Sequence, residues 1–260
     1  MYTVRYEHTV PGPWHWIHFV GKAFISKGVT VPPRKSHEVI NSQPELSREA
    51  SPEPGMVSRF CQKHTDMKDY ALPNASWSPD MMRSYNEFLE KTKDEDWIKL
   101  PSFKSNSEHI QGLKLPAGFM ATSDKEDYRI FTRCIEKEGQ GYEYVIFFHP
   151  SKKKSICLFQ PGPYLEGPPG FIHGGALIAL MDETFSKTAY LSGHGLFTLS
   201  LNIKFKNLIP LGSVAMLKVE VEKIEDQKIF LSCIAQSLDE QVFFAKASGI
   251  FLQMELEEDE

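Results

Sequence analysis

One long apolar segment, residues 174–192, constrains the fold more than any other part of the sequence. Its apolar residues lie nearly all round a helix, and a helix of that kind is buried rather than placed on a surface. Segments with the composition of β-strands lie on both sides of it in the chain: residues 128–135, 142–148, 155–160, 197–205, 214–224, 228–237 and 242–254. The sequence therefore predicts an α+β fold in which an antiparallel sheet wraps around one long central helix.

The rest of the chain divides into segments of different composition. Residues 1–55 are rich in proline breaks, which predicts a disordered or targeting extension. Residues 56–120 predict a helical and irregular segment, with a helix from Ser78 to about Thr92 that serves as an N-terminal extension. Residues 121–254 hold the predicted sheet-and-helix domain, and residues 255–260 form an acidic tail.

Charge and cysteine usage exclude several classes of protein. The formal net charge is −5, and residues 255–260 hold five of the 34 acids, which leaves 29 acidic against 29 basic residues. This balance gives no case for a nucleic-acid partner or a basic membrane-binding surface. No apolar segment has the length of a transmembrane helix. Cys134, Cys157 and Cys233 lie in apolar, strand-like runs, which predicts buried thiols in a reducing compartment.

A glycine-rich turn opens the central helix. It contains His173, Gly174 and Gly175, and Asp182 follows at an otherwise apolar position of the helix. Backbone N–H groups at the start of a helix can hold a developing oxyanion. A carboxylate among apolar side chains is costly unless it has a partner or a function. Together these features indicate acyl-transfer or hydrolytic chemistry on a carbonyl group.

Several segments carry a specific family resemblance. Residues 161–175 with 181–184, residues 200–210 and residues 68–77 resemble the hotdog-fold acyl-CoA thioesterases, over about residues 56–257. The nearest likeness is to the mammalian mitochondrial thioesterase superfamily members four and five, and more to member five. The resemblance implies hydrolysis of long-chain fatty acyl-CoA, with coenzyme A as part of the substrate and no separate cofactor or metal.

The resemblance also implies a location. Its nearest members imply the mitochondrial matrix, but residues 1–55 do not resemble their usual start, so a cytoplasmic location stays as the alternative. Through residue 37 that segment is basic and poor in acids, as transit segments are. It is not arginine-rich, however, and prolines interrupt it, so an irregular start without targeting value explains it equally well.

The family implies roles for individual residues of the motif. The Gly174 N–H polarises the thioester carbonyl, and Asp182 acts as general base for water or as nucleophile. Thr198 positions the water or the carboxylate, and His173 orients the loop or contacts the thioester. Each role has a structural alternative: a tight turn for the glycines, a histidine satisfied by backbone, a carboxylate that caps a neighbouring strand, and an ordinary β-branched strand residue.

The spacing of the motif predicts an oligomer. Gly174 and Asp182 are eight residues apart on one helix, or about 12 Å along its axis. Reacting atoms must approach to about 3–3.5 Å, so one helix does not present both groups to one thioester. Two antiparallel copies of the helix can present Gly174 of one chain and Asp182 of the other to the same thioester. The spacing therefore predicts a homodimer with two equivalent sites, and a dimer of such dimers also contains these sites. Glu183 points about 100° away from Asp182, which favours a surface or interface position.

Basic residues near the motif are candidates for binding the coenzyme. Lys204 and Lys206 flank Phe205 in a predicted strand, so both lie on one face, where they can hold phosphates as point charges. Lys228 is predicted to join them, and Asn202 and Gly175 complete the predicted substrate-binding set. The alternative is a solvated strand face.

Two other functions stay open at this point. One is an acyl-CoA-binding or signalling partner with weak activity. The other is a hotdog hydratase or dehydratase acting on acyl thioesters, although the order and spacing of Asp and His in this chain do not match those enzymes.

Overall fold

The computed structural model describes residues 68–104 and 129–255, together with the backbone of residues 4–8. Its helices are α1 (Pro79–Asp94) and α2 (Gly174–Gly193), with short 3-10 helices at Phe131–Arg133 and Pro163–Leu165. Its strands are β1 (Val4–His8), β2 (Ile98–Lys99), β3 (Tyr142–His149), β4 (Lys154–Pro161), β5 (Gly195–Phe205), β6 (Ala215–Glu225), β7 (Lys228–Ser237) and β8 (Phe243–Gln253). They form one sheet in the order β1-β5-β8-β7-β6-β4-β3-β2. The predicted α+β class is confirmed, because the pairs from β5 to β2 are antiparallel and the sheet packs against α2.

The central helix lies against the concave face of the sheet. Leu180, Met181 and Phe185 are fully buried, and they belong to one apolar core with residues from β3 to β8. The helix ends where His194 takes a left-handed conformation with φ of 58°, and β5 then runs back along the helix. The predicted buried helix of residues 174–192 is therefore confirmed.

Within the described residues, α1 covers one half of the convex face of the sheet, over β3 and β4. Ser78 caps this helix by accepting from the Met81 N–H, and Pro79 occupies its first turn, as the sequence predicts. Met81 and Tyr85 pack on Phe147 of β3 in a second apolar core. The other half of the convex face, on β5, β8 and β7, carries exposed and half-buried residues.

The predicted strand over residues 128–135 is wrong. Within residues 129–135 the chain forms a 3-10 helix, and Arg133 turns inward until its side chain is buried. Its guanidinium donates to the Tyr142 and Tyr144 carbonyls at 2.9 and 3.0 Å and to the Ser102 hydroxyl at 2.8 Å. Residues 138–141 therefore lead into β3 and do not join two strands. The alternating pattern could not show that a buried arginine bends this segment.

Other predictions have mixed outcomes. Cys157 and Cys233 are buried as predicted, whereas Cys134 is exposed beside the 3-10 helix; Cys61 lies outside the described residues. The backbone of β1 pairs in parallel with residues 201–205 of β5, although no strand was predicted in residues 1–55. The rest of that extension and residues 256–260 of the acidic tail lie outside the described residues. No described helix combines the length and the apolar character needed to cross a membrane.

Candidate active site

The turn before α2 is held by backbone hydrogen bonds. His173 N donates to Leu165 O at 2.7 Å, and Ile172 N donates to Ile209 O at 3.0 Å. The His173 side chain caps the helix, because its Nδ1 accepts from the Gly175 N–H at 2.9 Å. The Gly175 N–H is therefore already satisfied within the protomer, and the capping histidine is exposed.

The Gly174 N–H is the donor that remains available at the helix start. As the first helical residue it has no intrahelical acceptor for its N–H, and it donates to no other described residue. A Cβ on Gly174 would lie 3.5 Å from the nearest carbon of the Phe205 ring, which is ordinary contact. A Cβ on Gly175 would lie 3.0 Å from His173 Nδ1 and would press on the cap. Crowding by His173 thus gives a packing reason for glycine at position 175. Position 174 has room for a Cβ, so packing inside the protomer does not require glycine there.

Asp182 is paired with Thr198 across the helix and the sheet. The Thr198 hydroxyl donates to Asp182 Oδ1 at 2.9 Å. The β5–β8 ladder is irregular on both sides of Thr198, and such bulges re-aim side chains beside functional sites. Both residues are half-buried in the protomer. The sequence predicted a hydroxyl beside the carboxylate, and the structure brings the two together.

The environment makes the Asp182 carboxylate more basic than usual. Burial raises the pKa of Asp182 most, the Thr198 hydrogen bond lowers it, and the neighbouring Glu183 charge raises it. A carboxyl group with a raised pKa accepts a proton more readily, which suits general-base chemistry near neutral pH.

Glu183 does not lie on the surface of the protomer, so its predicted surface position is wrong, while the alternative of a position at an interface between protomers stays a prediction. Its side chain is 12% exposed and lies 3.6 Å from Lys187 Nζ, measured from Glu183 Oε1. The 3-10 helix packs against α2. Burial raises the pKa of Tyr144 of β3 to about 12, and the Glu183 charge also raises it. Burial lowers the pKa of Lys187, while Glu183 opposes that effect.

The predicted coenzyme-binding residues separate into two places. Asn202, Lys204 and Lys206 are exposed while Phe205 is buried, as strand alternation requires. Lys228 does not join them in one protomer. It is in register with Leu252 of β8, whereas Lys204 is in register with Lys246, six residues away, or about 20 Å along the strand.

The two halves of the predicted catalytic site are also apart in one protomer. Gly174 lies over Phe205 at the end of β5, and Asp182 contacts Thr198 near the beginning of that strand. The axial distance of about 12 Å along α2 is therefore a real separation. Among residues 68–104 and 129–255, no cluster of three or more His, Cys, Asp or Glu side chains could hold a metal ion.

Comparison with known proteins finds relatives of this chain, and the matches include the segment that contains His173, Gly174 and Asp182. A family model described as "Thioesterase superfamily" matches residues 169–243. The mouse protein named acyl-coenzyme A thioesterase THEM5 is 73% identical over 203 residues, which cover 78% of this chain and 82% of that protein. Its human counterpart is 69% identical over 78% of this chain and 83% of its own length. The Xenopus laevis protein named acyl-coenzyme A thioesterase THEM4 is 38% identical over 72% of this chain and 81% of its own. With identities this high over most of its length, the chain belongs to the acyl-coenzyme A thioesterase family of THEM5 and THEM4, within the thioesterase superfamily.

Proposed function

We propose that this protein hydrolyses fatty acyl-CoA thioesters to free fatty acid and coenzyme A. The observation that carries the proposal is the half-buried Asp182, hydrogen-bonded to Thr198 on a helix whose first N–H is free to bind an oxyanion. The relatives' names, which state acyl-coenzyme A thioesterase activity for those proteins, support the same reaction.

The reaction begins with polarisation of the thioester. The carbonyl oxygen accepts a hydrogen bond from the Gly174 N–H at the positive end of the α2 dipole. Asp182 takes a proton from water as the water oxygen attacks the carbonyl carbon, and negative charge develops on the carbonyl oxygen. The tetrahedral intermediate then collapses, the C–S bond breaks, and the coenzyme thiolate leaves with the proton that Asp182 took from water. Direct attack by the Asp182 carboxylate, followed by hydrolysis of the anhydride, is the alternative route to the same products.

A complete site requires two protomers. Gly174 and Asp182 lie about 12 Å apart along one helix, so the oxyanion donor of one protomer must face the carboxylate of its partner. Two antiparallel helices related by a two-fold axis bring both pairs together at once. The active unit in this proposal is therefore a homodimer with two equivalent sites, or a dimer of such dimers.

The substrate has an apolar and an anionic part. The acyl chain lies in the apolar space between protomers. The resemblance drawn from the sequence favours long-chain acyl groups and the mitochondrial matrix as the location. The exposed Lys204 and Lys206, at the end of β5 near Gly174, are suited to hold the phosphates of coenzyme A. His173 contributes by capping the helix and orienting the turn.

The test is thiol release from a panel of acyl-CoAs of increasing chain length. Asp182→Asn is expected to lower kcat by about a hundredfold or more, in line with loss of a general base. Asp80→Asn, an exposed carboxylate on α1, serves as the matched control and is expected to retain wild-type turnover. Near-normal turnover by a folded Asp182→Asn variant would overturn the mechanism.

The same panel separates the other functions. A protein that binds acyl-CoA but releases no thiol acts as a binding or signalling partner. Hydration of an enoyl-CoA without thiol release indicates a hydratase.

A further inference from the structure

Two lysines stand side by side on the exposed half of the convex face. Lys246 of β8 is directly opposite Lys204 of β5 in the antiparallel ladder. The Cβ atoms of opposite residues in such a ladder are about 4.5–5.5 Å apart. Both side chains are exposed, so their ammonium groups are neighbours on the same surface of the sheet. Like charges in this position repel each other, and a bound anion would remove that cost.

A third lysine lies at the same corner of the sheet. Lys206 follows the last residue of β5, and its N–H donates to the carbonyl of Phe244 at 2.7 Å. Phe244 is two residues before Lys246 on β8, so Lys206 lies about 7 Å along the strands from the Lys204–Lys246 row. We call Lys204, Lys206 and Lys246 the lysine corner.

The charge of Lys246 has no carboxylate partner within the described residues. Lys218, in the same row two strands away, is by contrast paired with Glu240 at 2.6 Å. Lys204 is in register with Glu7 of β1 on its other side, so Lys246 rather than Lys204 supplies the charge that no described carboxylate offsets.

The lysine corner lies at the end of the molecule where α2 begins. Phe205 and Ala245 are opposite one another and buried on the concave face, one residue from the lysine pair. The Phe205 ring is the group nearest to a Cβ built on Gly174. The lysine corner therefore lies on the outer face of the sheet, directly behind Phe205 and Ala245, whose inner face supports the start of α2. A thioester held at the Gly174 N–H can extend its coenzyme around the end of β5 to this face.

We propose that Lys246 is a phosphate-binding residue for the coenzyme A part of the substrate, acting with Lys204 and Lys206. Within one protomer Lys246 is the lysine directly beside Lys204, whereas Lys228 lies about 20 Å away along the strands. The ligand class is a nucleotide carrying phosphate monoester and pyrophosphate groups, which lysines bind as flexible point charges. This inference rests on the proposed function, because it takes its substrate from there.

The primary test is isothermal calorimetry of coenzyme A with the full-length protein. Lys246→Gln is expected to weaken coenzyme A binding about fivefold, the scale of one exposed charge pair. Lys137→Gln, an exposed lysine on the turn before β3, is the matched control and is expected to bind as wild type. An unchanged melting temperature for Lys246→Gln shows that the substitution leaves the fold intact.

A second readout separates phosphate binding from a general effect on the site. In steady-state hydrolysis, Lys246→Gln is expected to raise KM for acyl-CoA about fivefold and to leave KM for acyl-pantetheine, which carries no phosphates, unchanged.

Several results would overturn the proposal. These are coenzyme A binding by Lys246→Gln equal to wild type, or no binding of coenzyme A by the wild-type protein. An equal rise in KM for acyl-pantetheine would also overturn it, because it indicates a structural effect. Calorimetry requires no turnover, so a protein that binds coenzyme A through Lys246 but releases no thiol refutes only the proposed hydrolysis.

Discussion

Gly174→Pro tests the oxyanion donor with little disturbance to the fold. Proline is tolerated at the first position of a helix, where the missing N–H has no intrahelical partner. The residue before proline must be extended, and His173 already has φ of −66° and ψ of 132°. The space beside residue 174 also accepts a Cβ, at 3.5 Å from the Phe205 ring. The substitution therefore removes one N–H donor and keeps the helix.

The expected loss is about 2.7–4 kcal/mol of transition-state stabilisation, or about 10²–10³ in kcat, the value of one oxyanion-hole donor. Gly174→Ala keeps the N–H and is the matched control, expected to stay within a few-fold of wild type. The assay is thiol release under saturating acyl-CoA, with circular dichroism and melting temperature to confirm the fold. Equal kcat for Gly174→Pro and Gly174→Ala would refute the role of this N–H.

Mixing the inactive variants tests whether the site is shared. In a heterodimer of Gly174→Pro with Asp182→Asn, one site loses both groups and the other keeps an intact glycine and an intact aspartate. Random mixing of equal amounts makes about half of the dimers hetero, so about a quarter of wild-type activity is expected. If one chain supplied both groups, every site would stay defective. No recovery after verified subunit exchange would therefore refute the two-protomer site.

Two further substitutions test contacts of single side chains. Thr198→Val removes the hydrogen bond that favours the ionised form of Asp182. The pKa of Asp182 is therefore expected to rise, which moves the acid limb of the kcat/KM profile, measured between pH 4 and 9, to higher pH. Thr198→Ser keeps a hydroxyl and is the control. A shift to lower pH, or an equal shift for Thr198→Ser, would contradict this role of Thr198. Arg133→Ala leaves the Tyr142 and Tyr144 carbonyls without donors and is expected to lower the free energy of unfolding by about 3 kcal/mol in urea titrations. A loss below about 1 kcal/mol contradicts the role assigned to this buried arginine.

Sequence reasoning succeeded where a local pattern is long and has one physical explanation. The apolar α2 helix, the capped start of α1 and the strands after residue 140 follow from periodicity and capping residues alone. The Asp182–Thr198 contact was expected through family resemblance, and the hydrogen bond of 2.9 Å is present. These features depend on neighbours along the chain or on a motif whose spacing is characteristic.

Sequence reasoning failed where a residue's partner is distant in the chain. Residues 128–135 alternate as a strand would, but the burial of Arg133 against the Tyr142 and Tyr144 carbonyls bends them. The elements that cover Glu183 are also distant in the chain, so its position on the helix gives no sign that its side chain is 12% exposed. Lys228 and Lys204, which the sequence predicts to act together, lie about 20 Å apart along the strands of one protomer, and only strand register shows this.

By itself, the sequence determined the element types, the helix that must be buried and the pair of groups, Gly174 and Asp182, that carry the proposed chemistry. It also determined that one helix separates this pair by about 12 Å, since that distance follows from helical rise alone. Only the tertiary structure decided which side chains meet across the sheet, because strand register brings together residues far apart in the chain. Register places Lys246 beside Lys204, puts Lys228 at the other end, and sets Thr198 against Asp182.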